Sequence, residues 1–195
     1  MSAGFKYNLN APDVVEELYD VQTGHRKRGA YKLDCTGLTN GSILPNLTPV
    51  SVDLKTRLCK VVKNVKVLEE VAADATTAKI AKNSLVEVNM ILGTGTKGAK
   101  VTAIDKSNAD FDLITLEAAF GEKVLVGAVL FEATAAGGTK PKNVANFLIY
   151  GHTKVEAGIV LIALLMQAYE IQEDKLTLPV SAKDKEALTC RFQFE

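Results

Sequence analysis

The chain has 195 residues, 47% of them hydrophobic and 24% charged, and its 23 basic residues balance its 23 acidic ones. This length and composition are typical of a globular protein with a sizeable core, and they exclude a wholly disordered chain. A dedicated nucleic-acid-binding protein ordinarily carries a basic excess, so zero net charge argues against that class and we expect no nucleic-acid partner.

Secretion, membrane insertion and a disulfide framework are also disfavoured. The N-terminus, "MSAGFKYNLNAPDVVEE", lacks the basic and then apolar segments of a secretory signal. The most apolar run, Gly158–Tyr169, is well short of the roughly 20 residues that span a bilayer, so we expect a soluble protein without a membrane anchor. Cys35, Cys59 and Cys190 are far apart and odd in number, which predicts reduced thiols.

Residues 1–34 are predicted to be an extended N-terminal arm. They mix Asn, Pro, Gly and charged residues around a single short apolar patch, Val14–Tyr19. The basic run "HRKR" (His25–Arg28) suits either a phosphate-binding patch or a solvated loop that pairs with an acidic partner. Because no net positive charge supports the phosphate-binding alternative, the sequence favours the solvated loop.

Residues 35–71 are predicted to begin a β body. Apolar and polar residues alternate from Val50 to Leu54, and a second strand follows a turn at Lys55–Arg57. Three lysines on that second strand are typical of a protected sheet edge: Lys60, Lys63 and Lys66.

Residues 72–121 are predicted to be an inserted small β module, with strands such as Leu85–Leu92 between turns rich in Gly, Asn and Asp. The segment "GTGTKG" (Gly93–Gly98) matches the dinucleotide-binding pattern, but a β-like segment follows where that site needs a helix, so we predict a hairpin. The segment Asp105–Asp112 lacks the Gly and the Glu that an EF-hand calcium loop requires, which predicts a turn at a hairpin tip.

Residues 122–195 are predicted to complete the β body. A strand that ends near Phe131 leads into a long connection of small residues, "ATAAGGTKPKN", and then into a second strand at Val144–Tyr150. The apolar segment Val160–Ile171 suits a strand or a helix equally well. Pro179–Cys190 is the best helix candidate, capped by Ser181, and a final strand is predicted to place Cys190, Phe192 and Phe194 on one face.

No catalytic, cofactor-binding or metal-binding residues are predicted, so we expect that the protein binds no cofactor and is not an enzyme. The two histidines, His25 and His152, lie in predicted loops, there is no G-x-S-x-G motif, and the carboxylates are scattered. The predicted fold class is therefore mainly β. We expect a β-sandwich or β-barrel-like body of the β-tulip type with the inserted module, a few short helices and the arm.

The last third of the chain resembles the head-decoration and head-fibre proteins of tailed bacteriophages. In "VANFLIYGHTKVEAGIV" the family's spacing of small and apolar residues is filled by Ala145, Leu148, Val155, Ala157, Gly158 and Val160. The segment "GSILPNLTPVSVD" (Gly41–Asp53) resembles another family segment, with Asn46–Leu47 where a Gly is usual, and His152–Thr153 is a further departure. The short helix and final strand of "AKDKEALTCRFQF" are also similar, so the resemblance covers Gly41–Val67 and Val124–Phe194.

The resemblance implies a β-rich homotrimer on the outside of an icosahedral capsid, made in the bacterial host cytoplasm and carried on the virion. Its work would be structural, cementing capsomers or forming a short head fibre. Its partners would be the major capsid protein, with which residues 1–34 are expected to dock, and further copies of itself.

Two alternative functions follow from the residues alone. The first is a glycan- or receptor-binding module of a tail or surface fibre, with the Asp105–Asp112 hairpin at its tip. The second is an enzyme on a β scaffold, against which the scarcity of histidines and the missing nucleophile motif both count.

Overall fold

The computed structural model describes residues 17–195, which are mainly β and contain one short α-helix, and it confirms the predicted fold class. No helix among these residues is long and apolar enough to cross a membrane. In chain order the strands are β1 (His25–Arg26), β2 (Tyr31–Leu33), β3 (Ile43–Leu44), β4 (Pro49–Asp53), β5 (Leu58–Val61), β6 (Asn64–Lys66), β7 (Thr77–Ala81), β8 (Ile91–Gly93), β9 (Gly98–Asp105), β10 (Phe111–Leu116), β11 (Val129–Glu132), β12 (Phe147–Ile149), β13 (Thr153–Lys154), β14 (Val160–Ile162), β15 (Leu164–Ile171) and β16 (Phe192–Phe194). The helix, α1, spans Ala182–Leu188, and short 3₁₀ turns occur at Val21–Thr23, Glu173–Lys175 and Thr189–Arg191.

The larger sheet curls back on itself like a barrel. Its strand order is β1-β15-β12-β4-β5-β2-β14, with β16 beside β15. Strands β14 and β15 stand near opposite ends of that order, yet only Ala163 separates them in the chain. Strands β14 and β15 are therefore two parts of one bent strand on which the sheet closes. Their pairing shows that Val160–Ile171 is β and not helical.

The interior of this first barrel holds one apolar cluster. Alternate residues of each strand point inward, among them Leu33, Val50, Cys59 and Ile162. Strand β12 is buried on both faces, because Leu148 points outward beneath α1 while its two neighbours join the interior. Period-2 alternation thus governs most strands, and β12 departs from it only where the helix covers the sheet.

A second barrel-like sheet follows in the chain, with the order β6-β11-β8-β9-β10-β7. A bridge between Val67 and Ile80 joins its two outer strands, so this sheet also closes around a core of its own. The sheet spans residues 64–132, which is wider at both ends than the predicted module. The chain enters it directly after β5, so the predicted ribbon of Lys60, Lys63 and Lys66 is divided between two sheets.

Helix α1 packs on the outside of the first barrel. Ser181 caps it, as predicted, by accepting a hydrogen bond from the Asp184 N–H, and the Asp184 carboxylate accepts from the Ser181 N–H in return. Val180, Leu188 and Phe192 cover the outward-facing side chains of β12 and β15. The final strand is shorter than predicted and excludes Cys190, which is exposed.

The structure differs from the sequence-based predictions in three places. The strand predicted at Leu85–Leu92 is confined to Ile91–Gly93, and β7 is a strand that the sequence reading missed. Residues 25–33, which the sequence places in the predicted arm, lie in the first barrel as β1 and β2, because Tyr31 and Leu33 alternate into its core. Residues 1–16 lie outside the described residues. The division into 1–34, 35–71 with 122–195, and 72–121 stays a prediction.

Candidate interaction surface

Within residues 17–195 the groups that could carry chemistry stand apart. No three His, Cys, Asp or Glu side chains among them are placed to hold a metal ion together. His25 lies exposed on β1 and His152 lies exposed in the turn that precedes β13. Burial raises the pKa of the Cys59 thiol to about 12, so this thiol stays protonated inside the first barrel and is not a nucleophile.

The Gly93–Gly98 motif is a hairpin, as predicted. Strands β8 and β9 pair through Gly93 and Gly98, and the Thr94 N–H donates to the Lys97 carbonyl oxygen across the turn. The hydroxyl of Thr96 donates to the Glu122 carboxylate at 2.6 Å, and the hydroxyl of Thr94 donates to it as well. These two donors lower the pKa of Glu122. The loop is thus held by hydrogen bonds within the chain, across its own turn and to Glu122.

The small-residue connection after β11 packs against this hairpin. The Gly138 backbone lies so close to it that a Cβ on Gly138 would come within 1.8 Å of the Lys97 carbonyl oxygen. The Gly95 N–H also donates to the Gly138 carbonyl oxygen at 3.1 Å. The connection therefore has a partner within the chain itself, because glycines on both sides permit close backbone approach.

The Asp105–Asp112 segment forms the turn between β9 and β10. The Asp105 carboxylate accepts from the Ser107 N–H at 2.9 Å, and the Asn108 side chain accepts from the Asp110 N–H at 2.8 Å. The predicted turn is confirmed. Asp112 is buried and pairs with Lys82 at 2.7 Å, so this carboxylate stabilises the second barrel.

The outer face of the first barrel carries exposed aliphatic side chains at β14. On β14 and next to it, Val160 and Ile162 point into the core, whereas Ile159 is 74% exposed and Leu161 is 62% exposed. Strand β14 pairs with β2 along one edge, and no backbone hydrogen bond from the described residues reaches its other edge at Val160–Ile162. An apolar strand with an open edge is a recognised pairing site.

Basic side chains surround these aliphatic residues. Lys32 stands directly opposite Leu161 on the neighbouring strand, and Lys60 projects from the outer face of β5. Strand β1 pairs with β15, and β2 pairs with β14, which continues into β15. Between β1 and β2, residues Lys27–Ala30 bulge out of this ladder and present exposed Arg28.

The bulge lies against the turn between β4 and β5. Gly29 has φ +100°, a backbone region that favours glycine, and a Cβ there would be 3.6 Å from the Arg57 guanidinium. The Lys32 N–H donates to the Arg57 carbonyl oxygen at 2.9 Å. Two arginine-bearing loops are therefore neighbours in space although about 30 residues separate them in the chain.

We call this surface the basic outer face and define it by Arg28, Lys32, Arg57, Lys60, Ile159 and Leu161. No ion pair among residues 17–195 includes any of its four basic side chains. The sequence reading singled out the "HRKR" run but missed Lys32, Arg57 and Leu161. Alternation alone could have marked Leu161 as outward-facing, whereas nothing local brings Arg57 to the bulge.

The comparisons with known proteins identify one family. The model of the phage family described as "Head fiber protein" matches residues 1–192, which is nearly the whole chain. No curated protein and no solved structure matches the chain.

Proposed function

The chain belongs to the phage head fiber protein family, whose members are structural proteins of the virion, and from this premise we propose that it binds the outside of its phage's capsid. There it cements capsomers or forms a short head fibre, with the major capsid protein as its partner. The observation that carries this proposal is the extent of the family match. It takes in the predicted arm and the second barrel as well as the segments that carry the resemblance in sequence.

We further propose that the protein assembles as a homotrimer. Leu125 and Val126 are 62% and 63% exposed at the tip of a turn, where polar residues are the rule, and Leu68 beside the same turn is also exposed. Exposed aliphatic clusters of this kind mark contacts between chains. The small-residue connection is not needed for this contact, since it packs on its own chain.

The proposal is tested by mixing the purified protein with capsid shells, lacking it, from the phage that encodes it. We expect saturable co-sedimentation with intact shells, and a mass in solution of about three times 20.9 kDa by light scattering. Failure to bind shells at micromolar concentration would refute the capsid role. Reproducible hits on a glycan array without shell binding would favour the receptor-binding alternative instead.

A truncation test of the predicted arm has to respect the barrel. Deleting residues 1–34 would also remove β1 and β2, and with them the core side chains Tyr31 and Leu33. A deletion of residues 1–16 keeps every described strand, so a loss of shell binding in that variant would report on docking and not on unfolding.

A further inference from the structure

We propose that the basic outer face is the surface that docks on the capsid, and that it fits a protein surface on which carboxylates surround exposed aliphatic side chains. This inference rests on the proposed function, because it takes the shell's outer face as the partner. It adds the location of the contact on this chain and the chemistry that the contact requires of the shell.

Charge segregation is the first observation that supports this partner. Residues 25–60 contain seven Lys or Arg and two Asp or Glu, while the whole chain is neutral, so the remainder of the chain carries the compensating negative charge. Clustered charge of one sign on part of a neutral molecule raises the local potential and attracts the opposite charge. The basic outer face therefore selects an acidic surface.

The two carboxylates of this stretch, Asp34 and Asp53, offset only part of its positive charge. Asp34 accepts from the Thr36 N–H at 3.1 Å, and its pKa is lowered first by hydrogen bonds from Thr36 and then by the charges of Lys60 and Lys32. Asp53 accepts from the Lys55 N–H at 2.8 Å and from the Thr56 hydroxyl at 2.9 Å. Each carboxylate is hydrogen-bonded within its own turn and forms no ion pair among the described residues, so the cations near them can still pair with a partner's carboxylates.

The aliphatic side chains decide between a protein partner and a nucleic acid. Phosphate backbones gain nothing from Ile159 and Leu161, whereas an apolar patch ringed by arginine and lysine is usual in protein–protein contacts. Nucleic-acid strands are commonly held on aromatic platforms, but the Tyr150 ring beside this surface is covered by the Arg26 guanidinium at 5.0 Å. The composition favours a protein surface.

The test compares two charge-reversal variants of the full-length protein in the shell co-sedimentation assay. The first is R28E with R57E on the basic outer face. The control is K106E with K140E, which makes the same change in net charge at two exposed lysines elsewhere that form no ion pair among the described residues. We expect the first variant to bind shells at least about tenfold more weakly, with a shallower dependence on salt, and the control to lose no more than about twofold.

A third variant, L161N, removes one of the two exposed aliphatic side chains while keeping every charge. We expect it to bind more weakly without a change in salt dependence, because only buried apolar area is lost. All the substituted side chains are exposed, so we expect each variant to stay folded. Thermal unfolding followed by circular dichroism checks this.

The outcomes separate this inference from the proposed function. If the unmodified protein binds shells and R28E with R57E binds equally well, the docking surface is elsewhere and the capsid role stands. If K106E with K140E weakens shell binding as much as R28E with R57E does, the effect comes from net charge alone and the inference is overturned. Tight oligonucleotide binding that R28E with R57E abolishes, and that competes with shells, would assign the face to nucleic acid and overturn it as well. If the unmodified protein binds no shells, both proposals fail.

Discussion

Asp184 is a buried carboxylate that joins three parts of the molecule. It accepts hydrogen bonds from the Asn64 side chain at 2.7 Å, the Ala145 N–H at 2.8 Å and the Ser181 hydroxyl at 2.5 Å. These donors belong to the second barrel, to the segment before β12 and to the start of α1. We expect Asp184→Ala to lower the free energy of unfolding by about 3 kcal/mol or more, because several buried donors lose their acceptor. Urea denaturation followed by circular dichroism measures this change.

Glu186 provides the matched control for that substitution. It lies on the same helix with its side chain exposed, so we expect Glu186→Ala to change stability by no more than about 0.5 kcal/mol. Equal effects of the two substitutions would mean that helix formation, and not the buried carboxylate, limits stability.

Of the hydrogen bonds that Asp184 makes, the sequence predicted those at the helix cap and not the one with Asn64. Ser181 and Asp184 form a recognisable capping pattern at the start of a run of helix-forming residues, so the cap could be read locally. The partnership with Asn64 could not, because about 120 residues separate the two and the contact depends on how the barrels meet. Asn64 reads in sequence as an ordinary polar residue between two valine-rich segments, yet it is buried.

The loop after β11 read in sequence as a long connection of small residues, and in the structure it packs against the β8–β9 turn. Gly138 has φ +61° and packs against the β8–β9 turn, so any side chain there meets the Lys97 backbone. We expect Gly138→Ala to destabilise the protein by about 3 kcal/mol or more, since the loop and the hairpin would have to separate. The readout is the midpoint of thermal or urea unfolding.

The neighbouring glycine makes the control unusually direct. A Cβ on Gly137 would meet nothing within 4 Å, and that residue has no positive φ. We expect Gly137→Ala to be neutral, or to stabilise by about 0.5 kcal/mol through lower entropy of the unfolded chain. Comparable destabilisation by both substitutions would contradict the close packing described for Gly138.

For the elements, local pattern predicted the type of segment better than its extent. The hairpin at Gly93–Gly98, the turn at Lys55–Arg57 and helix α1 all follow from turn and capping residues that act within a few positions. Leu85–Leu92 alternates like a strand but is mostly irregular, because among its first six residues only Asn89 and Met90 hydrogen-bond to a neighbouring strand, at Val101 of β9. The segment Val160–Ile171 could not be decided from its own apolar composition, since only its pairing with β2 and β12 fixes it as strand.

At the largest scale, residues 17–195 form two barrel-like sheets and a two-stranded sheet, and the closure of the barrels is what the sequence could not predict. It depends on contacts between distant segments, such as the parallel pairing of β2 with β5 and the bridge from Val67 to Ile80. The same long-range order creates the basic outer face, because it brings the Lys27–Ala30 bulge beside Arg57 and sets Lys32 opposite Leu161. The "HRKR" run was visible in sequence, but its surroundings were not.

Closure also makes a prediction about how the first barrel opens. Cys59 lies on β5 between β4 and β2, fully buried, so a reagent reaches its thiol only when neighbouring strands separate. Because β5 is paired with β4 on one side and with β2 on the other, the barrel has no free edge at this position and offers no small opening there. In a variant with Cys35 and Cys190 replaced by Ser, we therefore expect the labelling rate of Cys59 to rise with guanidinium with the same slope as global unfolding measured by circular dichroism.

The companion variant that retains only Cys190 should label rapidly without denaturant, because that side chain is exposed. At pH 8 about one Cys59 thiol in ten thousand would be ionised with a pKa of about 12, so burial and protonation act in the same direction. Labelling that rises only shallowly with guanidinium would show that β5 separates from its neighbours while the rest of the protein stays folded. In that case the first barrel would be closed in shape but not in cooperativity, and its outer face could rearrange when it docks.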